Sequence, residues 1–200
     1  DVNTVGYAAG KVSNAADFED SASEALSLAS GTALAMGDES FSFGCWYKCE
    51  TLQLQFMIGF WDSNDNRYAI RMNGALGQVD ALICAASPAG GITADTEWHF
   101  VAAGYDAAAD VAWCSVDAAA RVEGALATGP DGTAGPFNIG ARGDLSRYFD
   151  GLIDEVCIYK RVLSSDEIAW LYNSGNGRTY SELVAATGGI PWPLLTYGMK

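Results

Sequence analysis

From Ser40 to Tyr159 the chain alternates apolar and polar residues two by two, and turn residues interrupt it about every ten positions. In SFSFGCWYKCE (40–50), Phe41, Phe43, Cys45 and Tyr47 fall on one side, with Ser42, Gly44, Trp46 and Lys48 on the other. A period of two is the side-chain period of a strand, so such a run buries one face and exposes the other. LQLQFMIGFW (52–61), RYAIRM (67–72), QVDALICAA (78–86), EWHFVAAGYD (97–106), DVAWCSVDAA (110–119), ARVEGALA, PFNIGA and FDGLIDEVCIY continue the series. No convincing helical period precedes Ser164. Many short strands at this spacing predict an all-β chain, an antiparallel β-sandwich or jelly roll. With 200 residues, half of them hydrophobic, one such domain has enough apolar mass for a core.

The last run, Leu152–Tyr159, is apolar on both faces and predicts a central strand. A single short C-terminal helix follows. Ser164 and Glu167 have the spacing of a capping box, and Leu163 with Ile168 that of a hydrophobic staple. Ile168, Leu171 and Tyr172 form its apolar stripe, and Gly175 or Gly177 is the expected stop. From residue 184 the chain reads differently, as an extended arm (184–200) rich in Gly and Pro. Trp192, Leu194, Leu195 and Tyr197 are its apolar anchors, either against a neighbouring subunit or against the arm's own domain. Residues 1–183 form the sandwich.

Charge narrows the partners. Twenty-five acids against 11 bases give −14, which disfavours nucleic acid and anionic membranes. No apolar run is long enough to span a membrane. Cys45, Cys49, Cys84, Cys114 and Cys157 all lie in apolar or strand-like stretches. Cys45 and Cys49 would share a strand face about 13 Å apart, too far to bridge. Buried free thiols are therefore expected, and a single histidine, His99, argues against zinc. The chain starts with Asp1 rather than Met, as a processed or truncated product does.

The segment Gly151–Gly175 meets the pattern G-x-I-D-E-V-x-I-Y-x-R-x-L-S-x-x-E-I-x-x-L-Y-N-x-G. It resembles the C-terminal signature of laminin-G-like domains of the concanavalin A-like superfamily. GKVSNAADFED, SFSFGCWYK, TEWHFVAAGYD and PFNIGARGDLSRYFDG resemble earlier family segments, in the same order, so the resemblance covers residues 5–177. It implies a concanavalin A-like jelly roll that binds glycans or other surface ligands, or that builds assemblies. Family members usually have a strand upstream of where this chain starts, so that strand is either lacking or replaced by another segment. Phe18-Glu19-Asp20 stands where the family has F-D-G, and Cys157 where it has Arg.

The resemblance also implies a structural calcium ion (Ca2+), with Asp154 and Asp20 as candidate ligands. The alternative for Asp154 is a carboxylate that caps backbone N–H groups. In the turn DSNDN, Asp62, Asn64 and Asn66 occupy alternate positions as in a calcium loop. Arg67 replaces the glycine such a loop needs, so a plain hairpin turn competes. As catalysts, Asp154 and Glu155 are poorly placed, because adjacent strand residues point to opposite faces, whereas related β-glucanases carry E-x-D-x-E. No enzyme activity is expected. Trp61, Tyr105, Tyr148 and Trp113 lie near predicted turns and could stack on sugar rings, or could simply pack within the sheets. Arg142-Gly143-Asp144 is an RGD tripeptide in a turn context. The resulting expectation is a surface recognition or assembly domain, glycan-binding or adhesive. The alternative is a structural subunit of a virion or filament that contacts copies of itself or other structural proteins. Either role places it outside the cell, on the cell surface or on a virion surface.

Overall fold

The structure, a computed structural model, describes residues 1–63, 66–74, 77–93, 95–179, 181–182 and 195–197. In chain order the strands are β1 (Gly6–Ala9), β2 (Asn14–Phe18), β3 (Leu26–Leu28), β4 (Phe41–Cys49) and β5 (Gln55–Trp61). They continue with β6 (Arg67–Asn73), β7 (Gln78–Ile83), β8 (Ala89–Thr93), β9 (His99–Asp106) and β10 (Val111–Val116). The last are β11 (Val122–Ala125), β12 (Phe137–Ile139), β13 (Gly151–Tyr159) and β14 (Leu195–Tyr197), and α1 spans Ser165–Tyr172. Two antiparallel sheets result. One runs β1-β2-β13-β4-β9-β10-β11, with β14 also on β13, and the other runs β3-β12-β5-β6-β7-β8. The expected all-β sandwich with one short helix is what the chain builds.

Alternation along each strand sorts side chains between the core and an outer face. Phe41 and Phe43 of β4 meet Tyr68 of β6 at ring separations of 5.1 and 5.0 Å, and Phe60 of β5 stacks on Tyr68 at 5.5 Å. Tyr68 is wholly buried, and its hydroxyl donates to the Leu34 carbonyl at 2.8 Å. This aromatic knot ties the two sheets together. Burying each such ring contributes about 1.5–3 kcal/mol.

All five cysteines are buried, and Cys45, Cys49, Cys114 and Cys157 are free thiols. Burial pushes the thiols of Cys49, Cys114 and Cys157 up to about 12, so they pack as small apolar groups.

β13 lies between β4 on one side and β2, then β14, on the other. Gly151–Ile153 pair with β2, and Val156–Ile158 pair with β14. Where the neighbour changes, the register shifts in a bulge between Asp154 and Cys157, and Glu155 takes φ 48°. Strict alternation of Asp154 and Glu155 therefore fails, because a bulge inserts a residue. β14 (Leu195–Tyr197) pairs with β13 of its own chain. Trp192 and Leu194 lie outside the described residues.

The helix is capped as its sequence predicts. Ser164 Oγ accepts from the Glu167 N–H at 3.2 Å, and Glu167 Oε2 accepts from the Ser164 N–H at 2.8 Å. Leu163 and Ile168 are buried. The stop is Asn173 in the left-handed region (φ 50°), ahead of both expected glycines. Asparagine tolerates this conformation better than most residues with a side chain.

Candidate ligand-binding face

The two sheets treat their outer faces differently. On the eight-stranded sheet, Trp46, Phe100, Ala102, Trp113, Cys157 and Tyr159 point outward and would face water. α1 and the segment before it cover them with Leu163, Ile168 and Leu171. Tyr172 stacks on Trp46 at 5.6 Å, and Lys11 Nζ lies 4.9 Å from the same ring.

The six-stranded sheet has no described helix over its outer face. Pairing across β3, β12, β5, β6 and β7 lines up Ser27, Asn138, Gly59, Ala69 and Leu82 in one row. The row is made mostly of small residues. On one side of it stand Trp61 and its partner Arg67, and on the other Phe56, Arg71 and Asp80. Phe56, Ala69 and Leu82 form a small apolar layer beneath these side chains, with Leu54 and Trp61 against it. Above this layer stand Trp61 and the arginines around it.

Arg67 and Arg142 both lie over the Trp61 indole, with guanidinium carbons 4.5 and 5.2 Å from the ring centre. Trp61 itself is half-buried. Gly143 is in such close contact with Trp61 that a Cβ there would collide with it. The loop 140–147 thus packs against the Cβ and backbone of Trp61, which brings Arg142 over the indole. Arg67 is further held by donating Nε to the Cys84 carbonyl at 2.9 Å. Arg71 grips Asp80 through Nε at 2.6 Å and Nη2 at 3.0 Å, and Asn73 and Ser87 also donate to that carboxylate. Arg142 and Asp144 form a second bidentate pair, which Ser146 Oγ joins at 2.6 Å. The Arg142 guanidinium holds the Asp144 carboxyl down at about 2. Within the RGD tripeptide the acid is thus paired with its own arginine, and Asp144 remains exposed.

Of the aromatic candidates, Trp61 lies on this face. Tyr148 is half-buried in the loop leading to β13. Tyr105 and Trp113 are both 0% exposed, which removes them as ligand-stacking residues. Tyr105 points into the core and donates to Asp38 at 3.0 Å. Trp113 lies in the helix-covered cluster with Arg121 over its ring at 4.1 Å. Nearness to a turn in sequence predicted exposure, and the face of the sandwich decided otherwise.

Among the described residues, the metal candidates sit at separate places in the fold. Asp154 is buried, and its oxygens accept from the Val12 N–H at 2.8 Å and the Glu155 N–H at 2.9 Å. A Cβ on Gly10 would lie 2.6 Å from Asp154 Oδ2, so glycine there permits the approach. This is the backbone-capping alternative. Burial raises the Asp154 pKa, and the backbone donors partly offset that rise. Asp20 is elsewhere. Its N–H faces Asp150 Oδ1 at 3.4 Å, beyond the Gly151 end of β13. Asn66 is buried in the β5–β6 hairpin, donating to Asp62 at 3.5 Å and to the Thr133 carbonyl at 3.0 Å, as a turn residue does. Asn64 lies outside the described residues. Among the described residues, no three His, Cys, Asp or Glu side chains cluster as a metal site.

His99 has a structural setting. Its Nδ1 faces Asp117 Oδ2 at 2.6 Å and its Nε2 faces Asp95 Oδ1 at 2.9 Å. Hydrogen bonding to Asp117 dominates and raises its pKa to about 9. Among the described residues, no nucleophile joins this trio by a hydrogen bond.

Residues 20–169 match the family model Laminin_G_3, of the concanavalin A-like lectin/glucanases superfamily. The chain is a laminin-G-like domain. No curated protein matches it. Among solved structures, the domain resembles domain 4 of AbnA, a GH43 extracellular arabinanase from Geobacillus stearothermophilus, solved in complex with arabinotriose. The identity is 21% and the TM-score 0.61, covering 83% of this chain and 80% of that one. It also resembles the CBM40 of Ruminococcus gnavus IT-sialidase bound to α2,3-sialyllactose, at 13% identity and TM-score 0.58, covering 78% and 97%. The binding domain of botulinum neurotoxin serotype G aligns at 13% identity and TM-score 0.63, covering 84% and 44%. At these identities the likeness concerns the fold. Arg71 and Asn138 were not singled out from the sequence, and Arg67 and Arg142 were noted only as a loop residue and as part of the RGD tripeptide. The outward positions of RYAIRM carry Arg67 and Arg71, a signal that the alternation contained. No described helix is long and apolar enough to cross a membrane.

Proposed function

We propose that this laminin-G-like domain is a non-catalytic glycan-binding module, with the outer face of its six-stranded sheet as the ligand face. The observation that carries the reading is the contrast between the sheets. One outer face is sealed by α1, while the other holds a half-buried tryptophan ringed by arginine, asparagine and aspartate. An indole with fixed polar groups around it suits a pyranose or furanose, which has apolar faces and a hydroxyl rim. The complexes of structural neighbours with arabinotriose and sialyllactose support the same direction. Among the described residues, the carboxylates of Asp80 and Asp144 on this face are each engaged by an arginine, which suits positioning and not proton transfer. A module of this kind works where glycans are displayed, at a cell surface or outside the cell.

A glycan array probed with the purified domain tests the reading, followed by titration of the best hit. Trp61→Ala is expected to weaken binding tenfold or more, equal to about 1.4 kcal/mol, with an unchanged circular dichroism spectrum. An array without hits, or a hit indifferent to Trp61→Ala, would exclude this face.

A further inference from the structure

Two arginines lie over aromatic rings on the outer face of the eight-stranded sheet, and their guanidiniums are satisfied differently. Pairing lines up Tyr159 of β13, Ser42 of β4, Gly104 of β9 and Trp113 of β10 in one row across that face. The Arg161 guanidinium lies 5.6 Å from the Tyr159 ring centre, and the Glu167 carboxylate accepts from its Nη1 and Nη2 at 2.7 Å each. The Arg121 guanidinium lies closer to its ring, 4.1 Å from the centre of Trp113, yet its buried Nε and Nη2 have no acceptor. Glu123 and Asp106 contribute charge nearby without accepting from either nitrogen. Among the described residues, one arginine–aromatic stack thus has its carboxylate and the other has none on these nitrogens.

Trp113 supplies a second observation. It is wholly buried, and its Nε1–H is also without an acceptor. The indole lies against Gly104, where a Cβ would stand 2.7 Å from Cζ2 and 2.9 Å from Cε2, so glycine is what admits the ring at that place. Of the eight buried side-chain nitrogen and oxygen atoms without a partner among the described residues, three are donors of this one stack. Folded proteins leave few such groups, and neither an indole N–H nor a guanidinium can accept a hydrogen bond in turn. The group that would satisfy all three is therefore an acceptor, and the arginine charge favours an anionic one. Burial lowers the Arg121 pKa, a penalty that an anion at the stack would offset.

We infer that the Trp113–Arg121 stack is a second binding site, on the opposite sheet from the glycan face, for a small organic carboxylate. One carboxylate oxygen accepts from the indole Nε1–H and the other from the guanidinium, as Glu167 does for Arg161 within the chain. The face of Trp113 is taken by Arg121, so a sugar ring has nothing to stack on here. Arg121 is half-buried and immediately precedes the edge strand β11, so its guanidinium is also the gate that a slim ligand must shift to reach Nε1.

Proton–nitrogen correlation spectra of the full chain test this, with the Trp113 Nε1–H resonance assigned through Trp113→Phe. Sodium acetate replaces sodium chloride at constant ionic strength, and acetamide serves as the neutral isostere. The expected result is a saturable downfield shift of the Trp113 resonance with acetate and none with acetamide. Arg121→Gln should weaken acetate binding about tenfold or more, and Arg121→Lys should weaken it less, because lysine keeps the charge but not the planar fork. Lys48→Ala, towards the other end of β4 from Ser42, should bind acetate as the parent does. An acetate shift that is the same in Arg121→Gln would overturn the site. So would a Trp113 Nε1–H that ignores acetate and shows contact with water alone, since a buried water would then be the acceptor. Neither result bears on Trp61, so the glycan reading stands or falls on its own array.

Discussion

Asp154 and Glu155 are neighbours with opposite solutions to burial. Asp154 receives two backbone N–H groups, so its carboxylate is compensated. Glu155 sits at the bulge, where burial first and the charge of Asp154 second push its carboxyl up to about 8. An acid with a raised folded-state pKa holds a proton that the unfolded chain has released. From its ordinary 4.5 up to about 8, stability therefore falls as pH rises. His99 adds a loss of the same sign at higher pH. Its imidazolium is stabilised in the fold, so that contribution is complete below 6.5 and disappears as pH passes about 9. Glu155→Gln is expected to flatten the decline between pH 5 and 8 while leaving the His99 part in place, as read from urea midpoints across that range. Parallel curves for the variant and the parent would show that Glu155 is ionised at neutral pH.

For α1, the local chemistry was legible because capping is encoded in consecutive residues. Glu167 does double duty, accepting from the Ser164 N–H and gripping Arg161 through two bonds of 2.7 Å. Ser164→Ala is expected to cost about 1 kcal/mol and Glu167→Ala more, measured by chemical denaturation with an unchanged m-value. The long strands were legible for a similar reason, since β4, β9 and β13 carry their own alternation. β1, β2, β3 and β8 were not, because GYAA, NAADF, LSL and AGGIT are short and rich in small residues. Their strand state comes from the neighbour each one pairs with, which no local pattern announces.

Taken whole, the sandwich was readable and the ligand face only partly so. Trp61 could be picked out as an aromatic near a turn, but its arginines come from β6 and from a loop far along the chain, and only the docked sheet unites them. Tyr105 and Trp113 show the converse, because which sheet carries a helix cannot be read beside a single aromatic. The change of neighbour along β13 also has a kinetic side. Its partners β2 and β4 lie early in the chain, so the central strand joins them only through contacts of very large sequence separation. Closing such loops is entropically costly before any contact rewards it, which makes β13 a late arrival and folding slow for the chain's size. Conservative truncation at buried Ile158 (Ile158→Val) should then mainly accelerate unfolding, whereas Val116→Ala in the local β9–β10 hairpin should slow refolding. Stopped-flow chevrons distinguish the two, and equal slowing of refolding by both would place β13 in the nucleus. Until β13 inserts, β2 and β4 each present an unpaired edge, and a nascent chain is most exposed to mispairing with its neighbours during that interval.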